Sequence, residues 1–360
     1  MKTLRANLII RPEKIGDLVV STPVIRAFKE TYSDQPLHLL TDPLGAEIVR
    51  HDPHLDKIIV IEWKGRYRGQ HTSWLDIYNL LKSQPYSRAA VLYANCSSWN
   101  WLCVALGIRQ VAQIGGTWPA IFLRHKLILR HFFKTPKHVV EFYLDVARAL
   151  GCSVNSLRTR LYILEEEKQS FIRKFPEYVK ARRRILIHPF FLTAGANWSL
   201  STYQVLGLRL SSQYSTSVFI VGAEDDIPKW REYSRESLDT SLLGMLSIRE
   251  LLVALDMAHI VIGGASGIGH IAAAMNVPMI SLYCPDQNHH LVWKPYGENV
   301  VCLVPDRYDC VMNERCPINN RGKESICDLS FGISVDRVIT SVHNLIDNVF
   351  TDYESSYYTN

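Results

Sequence analysis

Apolar positions in the first 60 residues fall into short runs separated by charged or turn-forming stretches, and the runs alternate between two periods. Leu4–Arg11, Pro36–Thr41 and Lys57–Glu62 are compact runs of strand length, whereas Val19–Tyr32 and Leu44–Arg50 space their apolar residues as helices do. The alternation continues with a helix over Leu75–Lys82, a strand over Arg88–Tyr93, a helix over Asn100–Leu106 and a strand over Gln110–Ile114. An amphipathic helix, Lys137–Leu150, then closes on Gly151 as its C-terminal stop. The rhythm restarts with strand Arg184–His188, helix Ser201–Gln213, strand Ser217–Val221, helix Ile248–Ala258, strand His259–Gly263, helix Gly267–Met275 and strand Pro278–Tyr283. This predicts an α/β chain of two Rossmann-like, doubly wound domains in succession, with ligands at the carboxyl ends of the strands facing a shared cleft. The expected spans are residues 1–165, residues 166–333, and a terminal helix and tail over 334–360 that packs back on the first domain. The charged segment Glu165–Arg184 reads as the junction.

Composition changes that picture in one respect. With 47% hydrophobic and 21% charged residues, the 360-residue chain is neither disordered nor collagen-like, and a net charge of +5 is mild. The charge is unevenly spread, however. Residues 1–160 hold 22 Lys and Arg against 12 Asp and Glu, a net of +10, which leaves −5 for residues 161–360. A basic first half suits a phosphate-rich or lipid-surface partner. The apolar run after Met1 is too short for the core of a signal peptide and is closed by Arg11. Met257–Pro285 carries no charged residue and is long enough to span a bilayer, but its His259, His270, Asn276, Pro278 and four glycines fit a buried strand, turn, helix and strand better. The eight cysteines without an export signal imply a reducing, cytoplasmic setting. Cys310, Cys316 and Cys327 have spacings that match no common zinc pattern, so neither a metal nor a cofactor is expected.

Four segments carry candidate chemistry. The first strand ends in Arg11-Pro12-Glu13-Lys14-Ile15-Gly16-Asp17, just before a helix. Gly16 would permit a tight turn, and Asp17 would act either as an N-cap or as a general base at the carboxyl end of the strand. Arg11 and Lys14 are phosphate-holding groups or solvated loop charges. The second segment, Gly263-Gly264-Ala265-Ser266-Gly267-Ile268-Gly269-His270, joins a strand to an Ala-rich helix. Its glycines would bring a diphosphate close to free N–H groups at the helix start. The dinucleotide fingerprint G-x-G-x-x-G is not met in order, which argues against a Rossmann oxidoreductase. His270 reads equally as a packed or a functional histidine. The third segment, His188 to Ser199, contains Thr193, Asn197 and Trp198 and faces the same ligand end; no Lys or Arg occurs between Arg184 and Arg209. In the fourth, Phe122–His138, Arg124, Lys126, Arg130, Lys134 and Lys137 interleave with apolar residues, as in a stretch that lies on an anionic lipid surface or grips a phosphorylated glycolipid, or as on a solvated helix face. No nucleic-acid-binding motif accompanies this charge.

Together these segments resemble glycosyltransferase family 9, the ADP-heptose:lipopolysaccharide heptosyltransferases. Ile10 to Ala27 is similar to the family's R-x-[DE]-x-x-G-D-x-x-x-[ST]-x-P-x-x-x-A opening, Asp52 to Ile59 to its N-P-x-[VI]-D-x-[VI] block, and Lys137 to Tyr143 to its H-x-x-E-x-[YN] helix. Ser266 to Ala274 is similar to its donor-site signature [DN]-[ST]-G-P-x-H-[LI]-A-A-A, and the late cysteines resemble its C…C…C-[LM] segment. The resemblance implies a GT-B fold and inverting, metal-independent transfer from a nucleotide-diphosphate sugar such as ADP-heptose to a lipopolysaccharide-core or other cell-envelope glycolipid, with peripheral contact with the inner membrane. It makes Asp17 the base. It puts the leaving diphosphate on backbone amides near Ser266–His270; joined to the residue readings above, the expected donor site is Lys14, Gly16, Thr193, Asn197, Ser266, Gly267, Gly269 and His270, and the expected acceptor contacts are Arg11, Arg124, Lys126 and Arg130. The chain departs from the pattern at Ala265, where the family has an acidic residue, at Ile268-Gly269, and at Gly195-Ala196-Asn197, where a loop base is missing. Those positions contact the donor, so its phosphates here fall to the helix N-terminus and to cations such as Lys14. The departures also leave the alternative of a non-catalytic sugar-nucleotide or glycolipid binding protein of the same fold.

Overall fold

The computed structural model describes residues 4–62, 71–93, 97–115, 126–128, 137–181, 183–190, 196–214, 216–233, 238, 242–284, 289–305 and 327–345. The chain divides into two units, Met1–Tyr162 and Ile163–Asn360, three residues before the expected boundary.

The first unit is built on a six-stranded parallel sheet: β1 Ala6–Ile10, β2 Leu37–Thr41, β3 Lys57–Val60, β4 Tyr86–Val91, β5 Gln110–Ile114 and β6 Lys126–Ile128, in the order β3-β2-β1-β4-β5-β6. β1 is buried along its whole length, which is why it reads as a continuous apolar run. The order reverses between β1 and β4, so the crevice such a sheet offers a ligand lies beyond the carboxyl ends of those two strands. One sheet face packs on helices Trp74–Leu81 and Ser97–Ala105 through Ile77, Leu81, Trp99 and Leu102. Helices Ile15–Thr31 and Val139–Ala149 pack against each other.

Helix Ile15–Thr31 starts four residues earlier than the apolar spacing predicts, and it tolerates Pro23 in its interior. Pro23 has no N–H for the carbonyl of Val19. The Thr22 hydroxyl supplies the missing donor, bonding that carbonyl at 2.8 Å, and its oxygen also accepts the Arg160 N–H at 3.2 Å. The Ser-Thr-Pro sequence therefore lets a proline sit inside a buried helix.

The second unit holds a five-stranded parallel sheet: β7 Arg184–His188, β9 Ser217–Ile220, β10 Ile260–Gly264, β11 Met279–Leu282 and β12 Val300–Leu303, in the order β12-β11-β10-β7-β9. Here the order reverses between β7 and β10. Two short strands, β8 Ala196–Asn197 and β13 Cys327–Asp328, pair in parallel beside it. Met257–Pro285, the apolar stretch long enough to span a bilayer, contains β10, helix Gly267–Ala274 and β11; no helix among the described residues is long and apolar enough to cross a membrane.

Three features add to or alter the expected layout. The charged junction Glu165–Arg184 contains helices Glu165–Lys174 and Pro176–Lys180, the former with three glutamates in its first turn and Arg173 and Lys174 in its last. The terminal helix, 335–345, contributes Val338, Ile339 and Val342 to the core of the second unit, with Leu303 and Leu329. Finally, Lys126–Ile128, within the basic apolar stretch, is an edge strand paired with β5 rather than part of a helix face. Cys310, Cys316 and the tail beyond residue 345 lie outside the described residues.

Candidate functional site

In the first unit, β1 delivers the chain to Arg11 at the reversal point, and the helix begins with Ile15. The turn between them is made by Lys14, an exposed residue with φ 68° and ψ 107°, not by Gly16. Gly16 is the second helical residue and is absent from the described glycines of positive φ. A side chain at positive φ costs about 1–2 kcal/mol, so the strain of this loop resides on a cation at the ligand end of the sheet.

Asp17 is the third helical residue and does not cap the helix; the N-cap position, Lys14, has no side-chain cap. Its carboxylate points instead to two donors. Oδ2 pairs with the Arg11 guanidinium at 2.9 Å, and Oδ1 accepts the Tyr143 hydroxyl at 2.5 Å. The Asp17 side chain keeps 12% of its surface exposed. The helix start adds a favourable dipole to this carboxylate.

Arg11, expected to face an acceptor, is 4% exposed and already engaged. Besides Asp17 it bonds the Leu92 carbonyl that follows β4, and its guanidinium lies 5.9 and 5.7 Å from the ring centres of Tyr93 and Tyr143. Tyr93 in turn donates to Glu13 at 3.0 Å. The arginine thus ties the loop after β1 to the chain after β4. Its two terminal nitrogens are therefore used inside the protein, while the buried Nε has no hydrogen-bond partner among the described residues. Lys126 lies on β6, while Arg124, Arg130 and Thr193 lie outside the described residues.

In the second unit, β10 ends at Gly264 and helix Gly267–Ala274 follows with Ser266 as its N-cap residue. The Ser266 hydroxyl does not cap the helix; it lies 3.3 Å from His188 Nδ1, at the end of β7. The reversal point of this sheet is therefore bridged by a Ser–His contact, and the first helical N–H groups have no i−4 carbonyl to bond. Ser266 and Gly267 are partly exposed, and Ala265 is exposed. Burial pushes the His188 imidazole down to about 4, with Asp226 pulling the other way, so it is neutral at pH 7. Glu224 and Asp225 follow β9 and are exposed at the same strand end.

Two of the residues expected to contact a donor, Asn197 and Gly269, have their polar or steric capacity taken up inside the second unit. Asn197 is fully buried; its amide donates to the Pro189 carbonyl at 3.1 Å and accepts the Tyr203 hydroxyl at 2.8 Å. A Cβ on Gly264 would stand 2.7 Å from Asn197 Oδ1, so the glycine exists to let this loop lie against β10. Gly269 is buried, and a Cβ there would meet Met279 at 2.8 Å and Pro295 at 3.1 Å; it lets the helix sit close to β11. His270 is 8% exposed, one turn into the helix. Residues Ser266, Gly267 and Lys14 remain at ligand-accessible strand ends, the last in the first unit.

Tyr143 and His188 fall inside segments that the sequence singles out, but the sequence assigns neither of them a role at the site. Tyr143 lies in the buried stripe of helix Val139–Ala149 behind the N-cap His138, whose Nδ1 accepts the Val140 N–H. Its hydroxyl meets a residue 126 positions away, which no local pattern reveals.

A glycosyltransferase family 9 (heptosyltransferase) model matches residues 104–319, more than half of the chain. The protein belongs to glycosyltransferase family 9. It is 24% identical over 307 residues to lipopolysaccharide heptosyltransferase 3 of Escherichia coli K12, covering 81% of this chain and 86% of that protein. It is 22% identical over 317 residues to the lipopolysaccharide core heptosyltransferase OpsX of Haemophilus influenzae, covering 83% and 84%. Among solved structures, a family 9 glycosyltransferase from Veillonella parvula superposes with a TM-score of 0.79 at 15% identity, over 96% of this chain and 98% of that one. E. coli ADP-heptose lipopolysaccharide heptosyltransferase II gives 0.75 at 18%, over 95% and 99%. The family 9 member described here has the α/β fold of these GT-B enzymes.

Proposed function

We propose that this family 9 glycosyltransferase moves a heptose from a nucleotide-diphosphate sugar of the ADP-heptose type to a lipopolysaccharide-core or related cell-envelope glycolipid, working in the cytoplasm at the inner membrane surface. The names of its relatives support the sugar and the acceptor class. The observation that carries the reading is the Asp17 carboxylate, oriented by two donors yet still accessible at the reversal point of the first sheet. Asp17 takes the proton from the acceptor hydroxyl as its oxygen attacks the anomeric carbon. The bond from that carbon to the diphosphate breaks on the opposite face, inverting the centre, and the nucleoside diphosphate leaves with the bonding electrons.

The leaving phosphates are held by the N–H groups at the start of helix Gly267–Ala274, which the Ser266 side chain leaves uncapped. Lys14 adds a cation. Arg124, Lys126 and Arg130 serve the phosphorylated acceptor. With the phosphate charge met by amides and a lysine, the transfer needs no metal ion.

A second reading, a binding protein without turnover, is favoured by Ala265, which replaces the acidic residue of the family pattern. Incubating the protein with ADP-heptose and a heptose-deficient core glycolipid separates the two. Mass spectrometry should show an acceptor heavier by one heptose, at a rate unchanged by EDTA. Donor binding without any product would establish the second reading, and loss of product in EDTA would overturn the metal-free step.

A further inference from the structure

We infer that Tyr143 is a positioning residue for the transfer reaction, acting through Asp17; the inference rests on the reading of Asp17 as the base. A carboxylate on a single-bonded Cβ rotates, and a base that rotates presents its lone pairs to the acceptor hydroxyl for only part of the time. Here both oxygens are held: Oδ1 by the Tyr143 hydroxyl at 2.5 Å and Oδ2 by Arg11 at 2.9 Å. The two donors come from different parts of the chain. Arg11 follows β1 and is itself held by the Leu92 carbonyl, with its guanidinium over the Tyr93 and Tyr143 rings. Tyr143 stands on helix Val139–Ala149, which packs along the helix that carries Asp17, and is 4% exposed. Its ring therefore has two tasks on one side chain: the face lies against the guanidinium and the hydroxyl against the carboxylate.

This arrangement goes beyond what a core tyrosine needs. The ring alone would fill the space, and a buried hydroxyl could be satisfied by a backbone carbonyl, as the Tyr178 hydroxyl is by Ala254. Tyr143 spends its hydroxyl on the one carboxylate at the ligand end of the first helix, leaving the remaining lone pairs of Asp17 a single orientation.

The test is a double-mutant cycle on the full chain with purified donor and acceptor. Tyr143→Phe keeps the ring and removes only the hydroxyl. It should lower kcat by about 10–100-fold, within the range that a misoriented base costs, with the KM for donor within about twofold of wild type on the same principle that uniform binding is untouched. Asp17→Asn sets the floor. Adding Tyr143→Phe to Asp17→Asn should slow the residual rate no further, because the tyrosine acts only through the carboxylate. A Tyr143→Phe enzyme with wild-type kcat, or one whose loss multiplies with that of Asp17→Asn, overturns the inference while leaving Asp17 as the base. An Asp17→Asn enzyme with wild-type kcat overturns the underlying reading instead.

Discussion

Asp17 shows how much a single residue's surroundings alter the meaning of its place in the chain. At the third position of a helix, an aspartate is electrostatically welcome and chemically unremarked. What distinguishes this one is that its carboxylate turns away from the helix N–H groups toward Arg11 and Tyr143. Gly264 makes the same point for the second unit. Its missing side chain makes room for Asn197, whose amide is bound at both ends and cannot yield. Gly264→Ala should therefore destabilise the second unit by about 1–3 kcal/mol through overpacking and weaken nucleotide binding. Thermal unfolding and calorimetric titration with ADP check this, and a variant with wild-type melting and affinity would show that the loop has slack.

At the scale of elements, the first helix was the most legible part of the molecule and also the place where reading by periodicity fell short. Its apolar spacing from Val19 was evident, but the first turn carries Gly16 and Asp17, which belong to no apolar stripe, so the helix start at Ile15 was invisible. The parallel strands were legible because burial on both faces makes them continuous apolar runs. Helix Glu165–Lys174 was not, since its sequence offers only Phe171 as a fully buried residue and otherwise resembles a solvated linker. Of the site, the residues next to turns could be named, but their roles could not. Asn197, Gly269 and Arg11 are ligand-like by type and position, yet residues that the fold brings against them take up their polar or steric capacity, from Pro189 and Tyr203 close in sequence to Leu92, 81 positions away. The Ser-Thr-Pro element offers a test of its own. Thr22→Val removes the donor that serves the Val19 carbonyl beneath Pro23 and the acceptor for Arg160 N–H. It should cost about 1–3 kcal/mol, read as a lower denaturant midpoint; no change would mean that the helix closes around Pro23 without the hydroxyl.

Across the whole molecule, two half-buried histidines set how the second unit responds to pH. His188 and His259 both belong to the second unit. Burial pushes each down to about 4, opposed by Asp226 at His188 and reinforced by Arg184 and Arg183 at His259. His259 Nδ1 also accepts the Arg184 N–H at 3.0 Å, a bond that protonation of that nitrogen removes. Both folded values lie below that of a free imidazole, so the contribution is complete above pH ~6.5 and is lost as pH falls toward ~4, at up to about 1.4 kcal/mol per pH unit for each group. Unfolding of the second unit should thus become easier over this window. His259→Gln should flatten the slope by one group's share, and an unchanged slope would show that this histidine is not the one taking up protons.

The central claim is that Asp17 takes the proton in a sugar transfer for which the second unit supplies the diphosphate site. Single-turnover transfer by Asp17→Asn, with donor binding measured in parallel, tests it most directly. The predicted result is a rate reduced by about 10²–10⁴-fold, with donor affinity unchanged because the carboxamide keeps the shape of the side chain. Transfer at the wild-type rate would contradict it.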